Sequence, residues 1–107
     1  MDNISVITKR LREARLASGI SQRNLCIAAG IDEFSASPRI NQYERGVHVP
    51  DFATLERLAL VLNVPTPYFY TRDDDLAKLI LNYGQLDEAE KIQLLKTAMD
   101  IAIKTIR

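Results

Sequence analysis

The side chains best suited to recognition chemistry fall in two short runs, Ser21-Gln22-Arg23 and Arg39-Ile40-Asn41-Gln42, with Arg45 and His48 just beyond the second. These are hydrogen-bonding and cationic groups, able to meet anions and planar polar edges. An Arg fork fits O6 and N7 of guanine, and an Asn or Gln amide fits N6 and N7 of adenine. Covalent and metal chemistry have no comparable support. His48 is the single histidine, without a Ser or Cys partner in an identifiable motif and without Cys, His or acid at metal-ligand spacing. The acids Asp73, Asp74 and Asp75 read as a helix start, and neither a Gly-rich phosphate loop nor zinc spacing occurs. No enzymatic activity, cofactor or metal is expected.

The elements that must position these groups are helical. Ile7, Leu11 and Ala14 are spaced for one helical face over Val6 to Ser18, and Gly19 is a natural stop. Ser21 caps a second short helix that ends near Ala29, leaving Gly30 free to take positive φ. Proline is tolerated only in a first helical turn, so Pro38 sets the start of a third helix at 35–37. That helix runs to Glu44 or Arg45 and closes at Gly46. Two short helices joined at a Gly form a helix-turn-helix, the unit that lays its second helix in the major groove of DNA.

Downstream, Asp51 is placed to cap a fourth helix that buries Leu55, Leu58, Ala59 and Leu62. Thr66 to Tyr70 forms an aromatic turn with Tyr68 and Phe69 against the core. Asp73 to Asp75 open a fifth helix, where acids suit the positive end of the dipole. Asp87 and Glu90 resemble a capping box for a last helix over 88–106. On it Ile92, Leu95, Met99, Ala102 and Ile106 recur at steps of three and four. No strand pattern, internal repeat or low-complexity segment is present, so the fold is all-α.

The chain has 107 residues, 47% hydrophobic and 26% charged, which suits one ordinary domain or a small domain with an oligomerising tail. No apolar run is long enough to span a bilayer, and the start Met-Asp-Asn-Ile lacks the basic and apolar regions of a secretory leader. One cysteine cannot form an internal disulfide, so a reducing, cytoplasmic setting is expected. Net charge is zero, which by itself argues against a nucleic-acid partner. Its distribution softens that objection, because residues 1–50 carry seven basic against five acidic groups and residues 51–107 carry seven against nine.

The segments Leu11-Arg-Glu-Ala-Arg15, Gly19-Ile-Ser-Gln22, Leu25-Cys-Ile-Ala-Ala-Gly-Ile31, Ile40-Asn-Gln-Tyr-Glu-Arg-Gly46, Pro50 and Leu55-Glu-Arg-Leu-Ala59 with Leu62-Asn-Val64 resemble the Cro/cI-type (XRE) helix-turn-helix regulators. The resemblance runs from about residue 6 to 70. It implies a five-helix, lambda-repressor-like DNA-binding head, drawn here as 1–72, with a C-terminal helical extension over 73–107. One departure stands out. Nine residues separate Gly30 from Ile40, about one helical turn more than the family usually has. The extra residues lengthen either the recognition helix or the loop before it, and Pro38 favours the loop.

The resemblance also assigns roles. Gln22, beside Ser21 and Arg23, sits where the family bonds a phosphate at a helix start. Ala36, Ser37, Pro38, Arg39, Asn41 and Gln42 correspond to the leading face of the recognition helix, with Arg39 and Gln42 as the prime base readers. Arg45, His48 and Arg23 are placed for phosphates. Arg15 and Glu44 correspond to an ion pair tying the first helix to the third. Cys26 stands where the family usually has Ala, as a small buried hydrophobe. The implied function is sequence-specific binding of double-stranded DNA by a dimeric repressor at a near-palindromic operator. The stripe Ile92, Leu95, Met99, Ala102 and Ile106 would pair two copies, or fold back on its own head. The alternative is an antitoxin or adaptor whose main partner is another protein, a reading the zero net charge favours.

Overall fold

The protein is described from a computed structural model over residues 3–31 and 36–106, with side chains over 6–31 and 38–105. Every element among the described residues is helical, in the order α1 (Asn3–Ser18), α2 (Gln22–Ala28), α3 (Ala36–Glu44), α4 (Phe52–Leu62), a 3-10 turn (Thr66–Tyr70), α5 (Asp74–Gln85) and α6 (Glu88–Ile106). The first helix starts three residues ahead of the Val6 that its periodicity predicts.

Caps account for most boundaries. The side chains of Ser21, Asp51 and Asp73 accept from the backbone N–H groups of Asn24, Thr54 and Leu76 at 3.0, 2.8 and 3.0 Å. Each satisfies a donor that the first turn leaves open. Asp87 and Glu90 bond reciprocally, at 2.7 and 3.0 Å, forming a complete capping box at the start of α6. At the other end of α4, Asn63 takes the left-handed conformation (φ 56°) and Val64 N–H reaches back to Ala59 O at 3.0 Å.

One core unites the elements. Leu11, Leu25, Cys26, Ile40, Leu55, Leu58 and Phe69 are fully enclosed, and Ile7, Ala14, Ala29, Tyr43, Ala59, Leu62 and Tyr68 join them in the cluster. Ala77 of α5 belongs to it as well, with Ile80 and Leu81 half-buried alongside. Packing therefore continues past residue 72, where the sequence draws the head's boundary. The reason is a buried arginine. Arg10 on α1 is 3% exposed and donates to Thr71 O (2.9 Å), Arg72 O (3.0 Å) and Asp74 Oδ1 (2.9 Å), fastening the start of α5 to the head. Among the described residues, α1 to α5 share the core and α6 lies largely outside it. No described helix is long and apolar enough to cross a membrane.

Candidate nucleic-acid interface

The geometry of the two-helix unit is set at its turn. Gly30 has φ +80°, a conformation that costs an L side chain roughly 1–2 kcal/mol. With it in place, Gly30 N–H bonds Ile27 O at 3.0 Å and Ile31 N–H bonds Cys26 O at 2.9 Å. This pair of bonds closes α2 and redirects the chain, with Ile31 packed on the core. The same 6→1 arrangement closes α3, where Val47 N–H bonds Gln42 O at 2.9 Å.

The third helix seats itself through Ile40, Tyr43 and Glu44, all buried and spaced i, i+3, i+4. It begins at Ala36, with Pro38 in the first turn, where its missing N–H costs nothing. Residues 32–35 of the connection lie outside the described residues, as do the side chains of Ala36 and Ser37. Opposite the buried stripe run Pro38, Asn41, Gln42 and Arg45, spaced i, i+3, i+4, i+7. Pro38 and Arg45 are exposed, while Asn41 and Gln42 are half-buried. Arg39 is exposed on the flank of that face, one turn ahead of Tyr43. Its charge acts on the Tyr43 phenol, although burial dominates there and pushes the phenol above its ordinary value.

Glu44 fastens this helix to the rest of the head. It accepts from Nε of Arg15, and at 3.0 Å from Arg15 Nη2, in a two-point pair whose side chains are 14% and 5% exposed. The bonds to Glu44 hold the Arg15 guanidinium above its ordinary pKa, against the opposing effect of burial. Arg15 Nη1 also donates to Ile20 O at 3.1 Å, bracing the loop that leads to α2. Gln22 Nε2 donates to Glu44 Oε1 at 3.2 Å, so the start of α2 meets the end of α3. Ser21 is exposed beside it but its hydroxyl is engaged as the cap. Arg23, Arg45 and His48 are exposed.

Cys26 is fully enclosed, and burial pushes its thiol above the ordinary value, which makes it a poor nucleophile. Two supports of the site escape motif reading. Thr8 Oγ1 donates to Tyr43 O at 3.0 Å, bonding α1 directly to α3. Arg10 organises a second network: its Nη1 donates to Glu13 Oε2 at 3.2 Å, and Tyr68 Oη donates to the same oxygen at 3.0 Å. Burial, with the bond to Glu13, pushes the Tyr68 phenol up to about 12. The signal for Arg10 was available, since Ile7, Arg10, Leu11 and Ala14 form a single stripe (i, i+3, i+4, i+7) and a charge in an apolar stripe must find buried partners.

A short helix held by its buried face against a second helix, presenting Arg, Asn and Gln outward, defines a DNA-binding regulator head. Comparison with known proteins agrees. Residues 11–69 match the helix-turn-helix family, and the chain belongs to the XRE-type helix-turn-helix transcriptional regulators. It is 29% identical over 121 aligned positions to the HTH-type transcriptional regulator ImmR of Bacillus subtilis (strain 168), covering 92% of this chain and 91% of that protein. It is also similar to the crystal structure of the transcriptional regulator BswR, with a TM-score of 0.80 and 45% identity over 87% of this chain and 92% of that one.

Proposed function

We propose that the protein is a dimeric repressor that reads a near-palindromic operator with two copies of α3. Residues 1–72 form the reading head, and residues 73–107 bring the two copies together. The observation that carries this reading is the outward face Asn41, Gln42 and Arg45 with Arg39 on its flank, opposite a fully buried Ile40. Arg39 and Gln42 supply the base contacts. Arg23, Arg45 and His48 supply phosphate contacts on either side of the groove, and Gln22 braces Glu44 as well as offering its N–H end to a phosphate. A lone head covers one half-site. Pairing sets two recognition helices about one DNA turn apart, ~34 Å, and an occupied promoter then excludes polymerase by bulk.

Selection of bound sites from a random duplex library tests this, run in parallel with the Arg39→Ala/Gln42→Ala variant. The expected result is an inverted repeat with half-site centres about 10 bp apart, relaxed or lost in the variant. A partner-protein role is the second reading, supported by zero net charge and by the apolar exposure of α6. Absence of enrichment from well-folded protein would favour it.

A further inference from the structure

Arg10 lies at the junction between the head and α5, and one guanidinium gathers groups from both. Nε donates to Thr71 O at 2.9 Å, and Nη2 donates to Arg72 O at 3.0 Å and to Asp74 Oδ1 at 2.9 Å. On the α1 side Nη1 donates to Glu13 Oε2 at 3.2 Å, and the central carbon of the fork lies 5.6 Å from the centre of the Tyr68 ring. The planar fork therefore meets α5 already oriented. The far end of α5 is fixed as well, where Gly84 approaches Pro65 too closely to admit a Cβ. Two fixed points roughly 15 Å apart set the direction of a helix. Ala77, Ile80 and Leu81 pack between them, but apolar contact is non-directional and resists separation more than pivoting. Hydrogen bonds hold an angle, so the direction of α5 rests on Arg10.

The same helix α1 holds the reading helix. Thr8 Oγ1 donates to Tyr43 O and Arg15 pairs with Glu44, so α1 is bonded to α3 on one side and, through Arg10, to α5 on another. It is a strut between the recognition helix and the segment proposed to join two copies. We infer that Arg10 is a positioning residue for operator binding: by locking α5 to α1 it fixes the half-site separation that two paired copies occupy together. The inference rests on the paired repressor proposed above. Two heads joined through residues 73–107 are linked binding modules, and the second adds affinity only where the link lets both engage at once. A rigid joint concentrates that gain at one separation, whereas a pivoting joint spreads it over several. Arg10 itself is 3% exposed, so it acts on this preference without reaching DNA.

The test measures binding of the full chain to three duplexes. One carries a single copy of the enriched half-site, one a pair at the enriched separation, and one a pair moved apart by about 5 bp, half a turn. Wild type should bind the matched pair roughly 10²-fold more tightly than the single half-site and lose that gain at the longer separation. Arg10→Met keeps an unbranched side chain and removes every bond of the fork. It should bind the single half-site as wild type does, lose roughly tenfold on the matched pair, and bind the two separations almost equally. Asp74→Ala, at an exposed position, removes the bond to α5 itself and should flatten the preference in the same direction, which serves if Arg10→Met fails to fold. A folded variant of either kind that keeps the wild-type preference between separations would overturn the inference and leave Arg10 a stabilising residue only. So would an equal loss on single and paired sites, the signature of a defect within the head. Wild type that gains nothing from a second half-site would instead remove the paired-operator reading, and this inference with it.

Discussion

Glu44 joins three elements through one carboxylate, and its energetics follow from its burial. Arg15 and Gln22 both bond it, so its removal strands a guanidinium that is itself only 14% exposed. Glu44→Ala is expected to cost about 3 kcal/mol in urea unfolding, against ~0.2–1 kcal/mol for an exposed pair. The Arg15→Ala/Glu44→Ala double variant should cost clearly less than the two single costs added, because the second substitution removes the stranded charge. Asp74 shows the opposite case, an exposed acid with a structural task. Bonds from Arg10 and then Lys9 hold its carboxyl below the ordinary value. A depressed folded pKa contributes stability that is present above the unfolded value, near 3.9, and is lost as pH falls through the folded one. Asp74→Asn should therefore lower Tm at pH 7, and the gap to wild type should close as the pH is taken below about 4, as read by thermal melts across pH.

At the scale of elements, the docking of α5 depends on how closely its backbone approaches the loop before the 3-10 turn. A Cβ on Gly84 would meet Pro65 Cγ at 2.9 Å and Cδ at 3.1 Å. Elsewhere in a helix Gly→Ala is favourable by up to ~1 kcal/mol. Here the contact is with a rigid ring, so Gly84→Ala is expected to lower Tm, and adding Pro65→Ala should recover most of the loss. The helices themselves were legible in the sequence because each announces its ends: Ser21, Asp51 and Asp73 as caps, Asp87 with Glu90 as a reciprocal box, Pro38 as a first-turn marker. The early start of α1 at Asn3 was not. Nor was the membership of α5 in the core, which turns on Arg10 reaching Thr71, Arg72 and Asp74 across more than sixty positions of chain.

At the scale of the whole molecule, zero net charge conceals an uneven distribution, and binding through it should carry a steep salt signature. Each phosphate contact contributes ~0.9 to the log–log slope of affinity against salt. Arg45→Ala is accordingly expected to weaken binding evenly across sequences and to reduce that slope by about 1, as measured by fluorescence anisotropy over a salt series. Arg39→Ala should instead relax base preference at one position of each half-site, costing ~1–3 kcal/mol of discrimination. The long axis of the molecule, 56 Å against 32 and 22 Å, follows from α6 running free of the head.

Local signals determined a great deal by themselves. Caps, proline and glycine positions and apolar periodicity act over three or four residues, so the helices, the helix-turn-helix and its family were readable from the chain alone. The resemblance to that family, and not these signals, assigned roles to Arg39, Asn41, Gln42 and Arg45. Tertiary structure decided which of those side chains lies at the centre of the outward face and which on its flank, because that depends on how Ile40, Tyr43 and Glu44 seat the helix. It also decided that Gln22 spends its amide on Glu44, that Thr8 and Arg10 hold the site from behind, and that α5 joins the core while α6 does not. Each of these joins groups distant in sequence, and no local pattern records a partner that only folding brings within hydrogen-bond reach.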